Sequence, residues 1–292
     1  MNPQQTPEQN EETVKPATPE VVSTQKPASR GIAGLSKKKL IIISSVTAGV
    51  VLLLIIVSVL YAALFSVSKA DYRAAANATS EVSRTGSKSY SDIASLAYIS
   101  TSTTETENKN DIDAARETLA AYKQSNATIS DVKALRNGDV KTAYEAYNTR
   151  FAAYMAFSED YLSSAEKVIP AIIKCEDIAK TSISDVSAYA SVVAPCEAAL
   201  NAVKDVKDKD LNTFLEAYKK NVQDVTIIVN KVAAAGTDYA QRSALRTELS
   251  ATSTALRDAQ KDANSNITKR LSDVKPYDLL REFYDLTAEK SK

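Results

Sequence analysis

Two cysteines, three adjacent lysines and two runs of carboxylates are the groups in this 292-residue chain that could do chemistry. Cys175 and Cys196 are its only thiols, and they do not form a Cys-x-x-Cys pair, which argues against a catalytic dithiol. Two uses remain: a structural disulfide in an oxidising compartment, or burial as two small apolar side chains. The disulfide is the expectation. Cys175 falls on an apolar stripe, and Pro195-Cys196 reads as the first turn of a new helix, so a bond would staple the corner between two helices.

The carboxylates invite a cation. Asp205, Asp208 and Asp210 are closely spaced, but Lys204, Lys207 and Lys209 interleave with them and no Gly is present to make a tight calcium loop. That run reads as a salt-laced helix junction. Glu105, Glu107, Asp111 and Asp113 lie in or beside a polar stretch and are the better cation candidates, although solvated charge is the default for them too. Neither a metal site nor a cofactor is expected.

Absences narrow the chemistry further. The chain has no His, so Ser-His-Asp and Cys-His nucleophile systems and His-ligated metals are excluded. Only Gly86, Gly138 and Gly236 follow the apolar run, and no phosphate-cradling loop can be drawn from them. The 36 basic and 36 acidic residues balance, with no cationic cluster of the kind nucleic acid requires. No catalytic residue is assigned, and the chain is not expected to be an enzyme.

The elements that would position these groups follow from composition and period. Residues 1–39 hold five of the eight prolines among Gln, Thr and Glu, and read as a disordered tail. Within it, Pro16 and Pro19 have the spacing of a PxxP ligand, which arises easily in such composition. Lys37, Lys38 and Lys39 then precede an apolar run from Leu40 to Phe65 that no charge interrupts before Lys69. At 1.5 Å per residue this run reaches about 39 Å, enough for a hydrocarbon core of about 30 Å. It is too long for a cleaved leader, although Ser68-Lys69-Ala70 loosely resembles a cleavage site. The lysine trio puts the N-terminus in the cytoplasm and the rest of the chain outside.

Beyond the run, abundant Ala and scarce Gly predict helix. Residues 69–86 extend outward as one helix, Ser89 to Ile99 reads as a second, and Ser100 to Asn110 as a loop or hinge. Ile112, Ala115, Leu119 and Tyr122 then form one stripe. A heptad seam runs through Val140, Tyr144, Tyr147, Phe151, Tyr154, Ser158, Tyr161, Ala165, Val168, Ile172 and Cys175. Another runs through Leu211, Leu215, Tyr218, Val222, Val225, Val229 and Val232. Asp139 to Tyr147 and Asp210 to Tyr218 are locally alike at an offset of 71 residues, from duplication or from a shared packing rule. A weaker stripe (Leu245, Leu249, Thr252, Leu256, Ala259, Ala263) precedes Pro276 and an aromatic end piece.

The seam tyrosines are expected to bury their rings and leave their hydroxyls at the rim. Repeated Ser-Asp pairs at 91–92, 130–131, 184–185 and 272–273 read as helix starts, and Gly138 and Gly236 as helix stops. Asn77, Asn126 and Asn266 fit Asn-x-Thr, no more often than this composition would supply by chance.

The expectation is therefore an all-α protein: a tail (1–39), a single N-terminal transmembrane helix (40–66) and an elongated antiparallel helical bundle outside the cell membrane (67–292). Its partners would be the lipid bilayer and a protein or envelope component, with no nucleic acid. The favoured function is a structural or interaction module, ahead of a sensor-like bundle that binds a small ligand between helices, with an enzyme last. A Tyr-lined cavity with a charged group would favour the sensor, and a closed core with an exposed apolar stripe the module.

Overall fold

The computed structural model describes residues 50–61, 66–99, 104–182 and 185–292, and all of its described elements are helical. The chain divides into two units, Met1–Leu64 and Phe65–Lys292. In the first, residues 50–61 are helical, and every large apolar side chain from Val50 to Tyr61 is exposed, by 49% at the least. No helix among the described residues is long and apolar enough to cross a membrane. The expected tail, Lys37, Lys38 and Lys39, and residues 40–49 and 62–65 of the expected span lie outside the described residues.

The second unit is an elongated arrangement of helices: α1 (Lys69–Leu96), α2 (Glu105–Ser130), a 3-10 turn (Lys133–Arg136), α3 (Gly138–Ile173), α4 (Glu176–Lys180), α5 (Val186–Ala202), α6 (Lys209–Ala234), α7 (Tyr239–Asp273) and α8 (Tyr277–Lys290). Its axis is α3, whose 36 residues reach about 54 Å. α3 packs with α2, α5, α6 and α8 and bonds α1 through Tyr154–Ser89 and Tyr161–Leu96, while α7 returns along α6. One end of the unit is closed by the ion pairs Lys133–Asp71 (3.6 Å) and Lys290–Asp139 (3.5 Å), and by Lys69 Nζ donating to the carbonyl of Lys292. Past the end of α3, α6 and α7 continue as a hairpin with a small core of its own: Ile228, Val232, Ala235 and Leu245.

Both predicted seams are buried, Ser158 included; only Tyr144 and Tyr218 lie partly open. Burial on α3 is wider than one stripe, because Met155, Phe157, Leu162, Ser164, Ile169 and Ala171 are buried as well. With neighbours on several sides α3 buries more than one stripe, while Lys141, Glu145, Glu159 and Glu166 among others stay exposed.

The tyrosine hydroxyls differ from expectation. Those of Tyr147, Tyr154 and Tyr161 point inward, and each finds a partner on a neighbouring helix. Tyr147 Oη donates to Asn126 Oδ1 (2.6 Å), Tyr154 Oη bonds Ser89 Oγ (2.9 Å), and Tyr161 Oη donates to the carbonyl of Leu96. Inside a low-dielectric core such bonds are worth making, since an unpaired hydroxyl there is costly. Burial raises all three phenols, Tyr154 to about 12. Asn126 is thus a core acceptor rather than an open sequon, being 6% exposed.

Several boundaries also differ. Residues 69–96 are one helix, not two, because α1 carries a seam of small and polar residues that hydropathy does not reveal: Tyr72, Ala75, Thr79, Val82, Gly86, Ser89, Ile93 and Leu96. The polar stretch 100–110 is mostly helix from Glu105 on, capped by Thr104. Of the Ser-Asp pairs, only Asp185 caps a helix, accepting from the amide of Ala188 at 2.9 Å. The pair at 91–92 is inside α1, and those at 130–131 and 272–273 end α2 and α7. The other caps are Ser68, Thr104, Asn137, Asp208 and Asp238, and the first two form capping boxes with Asp71 and Glu107. Gly236 is the left-handed stop after α6, with φ +52°, whereas Gly138 is the first residue of α3. Pro195 lies inside α5, not at its start, where packing of that helix on α3 and α6 carries it past the missing amide.

Gly86 shows how closely α1 and α2 approach. A Cβ placed there would stand 2.8 Å from the Tyr122 ring and 3.1 Å from that of Tyr277. The Tyr122 ring cannot swing away, being wedged edge-on against Phe151 (4.9 Å) and Tyr154 (5.8 Å). Gly86→Ala is therefore expected to destabilise by roughly 1–2 kcal/mol, as overpacking outweighs the helix-propensity gain of about 1 kcal/mol. Gly86→Leu should cost more. Urea unfolding checks both, and a stabilised Gly86→Ala protein would refute the close approach.

Candidate functional site

The half of the unit beyond Phe157 is built around two constellations. The first holds the helices at the required angle. Asp208 caps α6 by accepting from the amides of Asp210 and Leu211, both at 3.0 Å. Its second oxygen accepts from Arg270 of α7 at 2.8 Å, and the same guanidinium reaches Asp210 at 2.7 Å. The guanidinium also lies 5.0 Å from the centre of the Phe157 ring on α3. Desolvation pulls the arginine down, but its bonds to Asp210 and the charge of Asp208 outweigh it and hold the guanidinium raised. Ser164 Oγ accepts from the amides of Lys207 and Asp208 (2.9 and 2.8 Å), and Lys167 holds the carbonyls of Lys204 and Asp205. Asp208 and Asp210 of the calcium-like run thus serve an arginine, so the run is a salt-bridged helix junction.

The second constellation is the corner beyond α3. Cys175 follows the end of α3 and Cys196 lies in α5; they are joined as a disulfide with Cα atoms 4.7 Å apart, and both are buried. The corner is the one expected, although Cys196 reaches it from mid-helix. Beside the disulfide is a cleft of about 340 Å³ between α4, α5, α6 and α7. Its walls are mostly apolar, with Ile178 from α4, Val222 and Val225 from α6, and Leu249 and Leu256 from α7. Tyr189, Tyr218, Asn221 and Ser253 also line it. Asn221 Nδ2 is committed to the carbonyl of Thr252 at 3.0 Å.

Tyr189 is 2% exposed, and its hydroxyl is one of four buried side-chain polar atoms that lack a hydrogen-bond partner among the described residues, the others belonging to Asn108, Ser158 and Tyr277. Burial and then the charge of Glu197 raise this phenol to about 12; burial and Glu176 do the same for Tyr218. Both rings therefore stay neutral. Sequence reading missed Tyr189, because α5 is small and apolar on nearly every side and offers no stripe from which a facing residue could be read.

The remaining sequence candidates do not converge. Glu105, Glu107, Asp111 and Asp113 lie along the first turns of α2, where Glu107 closes a capping box and Asp113 pairs with Lys109. Hydrogen bonds from the Thr104 amide and hydroxyl hold the Glu107 carboxyl below the usual range. Among the described residues, no three potential metal ligands cluster. A larger groove of about 570 Å³ runs between α1 and α8, but its two arginines are paired within their own helices, Arg84 with Glu81 (2.6 Å) and Arg281 with Asp285 (3.7 Å).

Compared with known proteins, the chain matches no family model, no curated protein and no solved structure.

Proposed function

We propose that this chain is a single-pass membrane protein that displays its helical unit outside the cell as a structural or protein-interaction module. The observation that carries the reading is the segment 50–61, a helix whose large apolar side chains are all exposed. In water that arrangement is costly on every side, whereas a hydrocarbon solvent suits it. The lysine trio at 37–39 gives the orientation, with the tail inside. The disulfide fits the outer, oxidising side. The unit would then act as a spacer, with Ile227 and Tyr239, 53% and 80% exposed, available for contact on the α6–α7 hairpin. Its partner would be a protein or another envelope component.

The sensor reading keeps one observation in its favour, the Tyr-lined cleft, although no charged side chain lines it. No catalytic role is proposed for any residue.

Protease added to intact cells carrying the full chain with an N-terminal epitope should remove the 67–292 unit and leave the tail. Non-reducing peptide mapping of the released material should link the Cys175 and Cys196 peptides. A protected unit would refute the orientation.

A further inference from the structure

We propose that the cleft between the end of α3 and the end of α5 is a binding site for a phosphate-bearing anion of more than one charge, held by Lys167, Lys174 and Lys204. All of its walls belong to the 67–292 unit, so the site does not depend on the proposed topology.

Charge selects the ligand. The cleft has a volume of about 480 Å³, and Pro170, Ala171, Ala199, Ala202 and Val203 give it apolar walls. The three lysines line it with them, and Asp205 is the one acid among the lining residues. All three lysines are exposed, and among the described residues none is ion-paired with a carboxylate. Acids nearby in the chain are already engaged, Glu176 by Lys180 (2.9 Å) and Asp160 by Lys207 (3.6 Å). Cations of one sign over low-dielectric walls concentrate anions. An ammonium is a point charge suited to phosphate oxygens, and no arginine lines the cleft to favour a planar carboxylate. Several ammonium groups about one cleft match an anion of more than one charge.

The cleft is held in shape by bonds that do not consume its charge. Lys167 Nζ donates to the carbonyls of Lys204 and Asp205 at 3.2 and 3.0 Å, and Ser164 Oγ accepts from the amides of Lys207 and Asp208. These bonds pin the connection after α5 to α3. Asp205 has φ +54° within it, in the left-handed region that a non-glycine residue seldom occupies. Carbonyl oxygens orient the Lys167 ammonium without neutralising it. Lys174 directly follows α3 and Lys204 comes two residues after α5, where the helix dipoles also favour a cation. Each dipole end offsets only about half a charge, so the cleft stays positive after both dipoles and Asp205 are counted.

Tripolyphosphate is the probe. With the full chain in phosphatidylcholine nanodiscs at low salt, calorimetry should show saturable binding above that of empty nanodiscs, weakening as salt is raised. The double variant Lys174→Gln with Lys204→Gln should bind at least about tenfold more weakly, the loss of charge-assisted bonds. Both positions are exposed, so helicity should be unchanged, and each single variant should show part of the loss. The control is Lys261→Gln with Lys269→Gln, which removes two exposed lysines of α7 that do not line the cleft. It should keep native affinity. Competition by phosphatidylglycerol placed in the disc would assign the phosphate to a lipid headgroup, and lack of competition to a soluble ligand. Absence of saturable binding by the native chain overturns the proposal. So does native affinity in the cleft double variant, or an equal loss in the control, which would reflect net charge rather than a site.

Discussion

Arg270→Ala is expected to destabilise the helical unit by about 3–5 kcal/mol, the usual cost of leaving a buried carboxylate without its partner. The size of the effect comes from burial. The Asp208 side chain is fully buried and that of Asp210 is 11% exposed, so neither can recover full hydration when the guanidinium is removed. The two carboxylates would also face each other with no intervening positive charge. Arg270→Lys should fall between, because an ammonium keeps the charge but lacks the planar guanidinium that lies over Phe157 while its Nη1 bonds both acids. Asp208→Asn offers a further control, since an amide oxygen can still cap α6. Denaturant unfolding of the four proteins measures the series. An Arg270→Ala protein as stable as the native one would mean that water reaches these acids and that the junction is loosely packed.

The second large effect is expected at Tyr147. This side chain is fully buried, in contact with Phe151 and Tyr144, and its hydroxyl donates to Asn126. Tyr147→Ala should cost about 3–5 kcal/mol, from lost transfer free energy and from a cavity that rigid neighbours cannot close. Tyr147→Phe keeps the ring and removes the donor, which leaves Asn126 Oδ1 without its bond from Tyr147. Its cost should be about 1–3 kcal/mol. The ratio of the two separates packing from hydrogen bonding. Equal costs would mean that the hydroxyl network, rather than the ring, holds α2 against α3.

The sequence by itself determined the class of this protein and its periodic elements. The seams of α3 and α6 were legible because large apolar residues repeat every three or four positions, and that repeat is a local property of the chain. Gly236 and Pro276 were legible as boundaries for the same reason, since backbone restriction acts within a few residues. The Cys175–Cys196 pairing was legible because only two cysteines exist. The alignment at an offset of 71 residues extends to the caps, with Asn137 bonding the amide of Val140 and Asp208 that of Leu211. That likeness is local as well.

Tertiary structure decided what small and polar residues do. The seam of α1 alternates Ala, Thr, Gly and Ser with a few larger apolar residues, which weakens its hydropathy signal, and the nearby rings of Tyr122 and Tyr277 make Gly86 a core residue. Ser-Asp pairs are equally at home starting a helix, ending one or lying within one, so neighbouring packing selects among these uses. The fate of Asp208 and Asp210 depended on an arginine sixty residues away in sequence, which no local pattern discloses. The same is true of Tyr189. A tyrosine in an evenly apolar helix carries no sign of whether its hydroxyl will find a partner, because that is settled by what four separate helices bring to one corner.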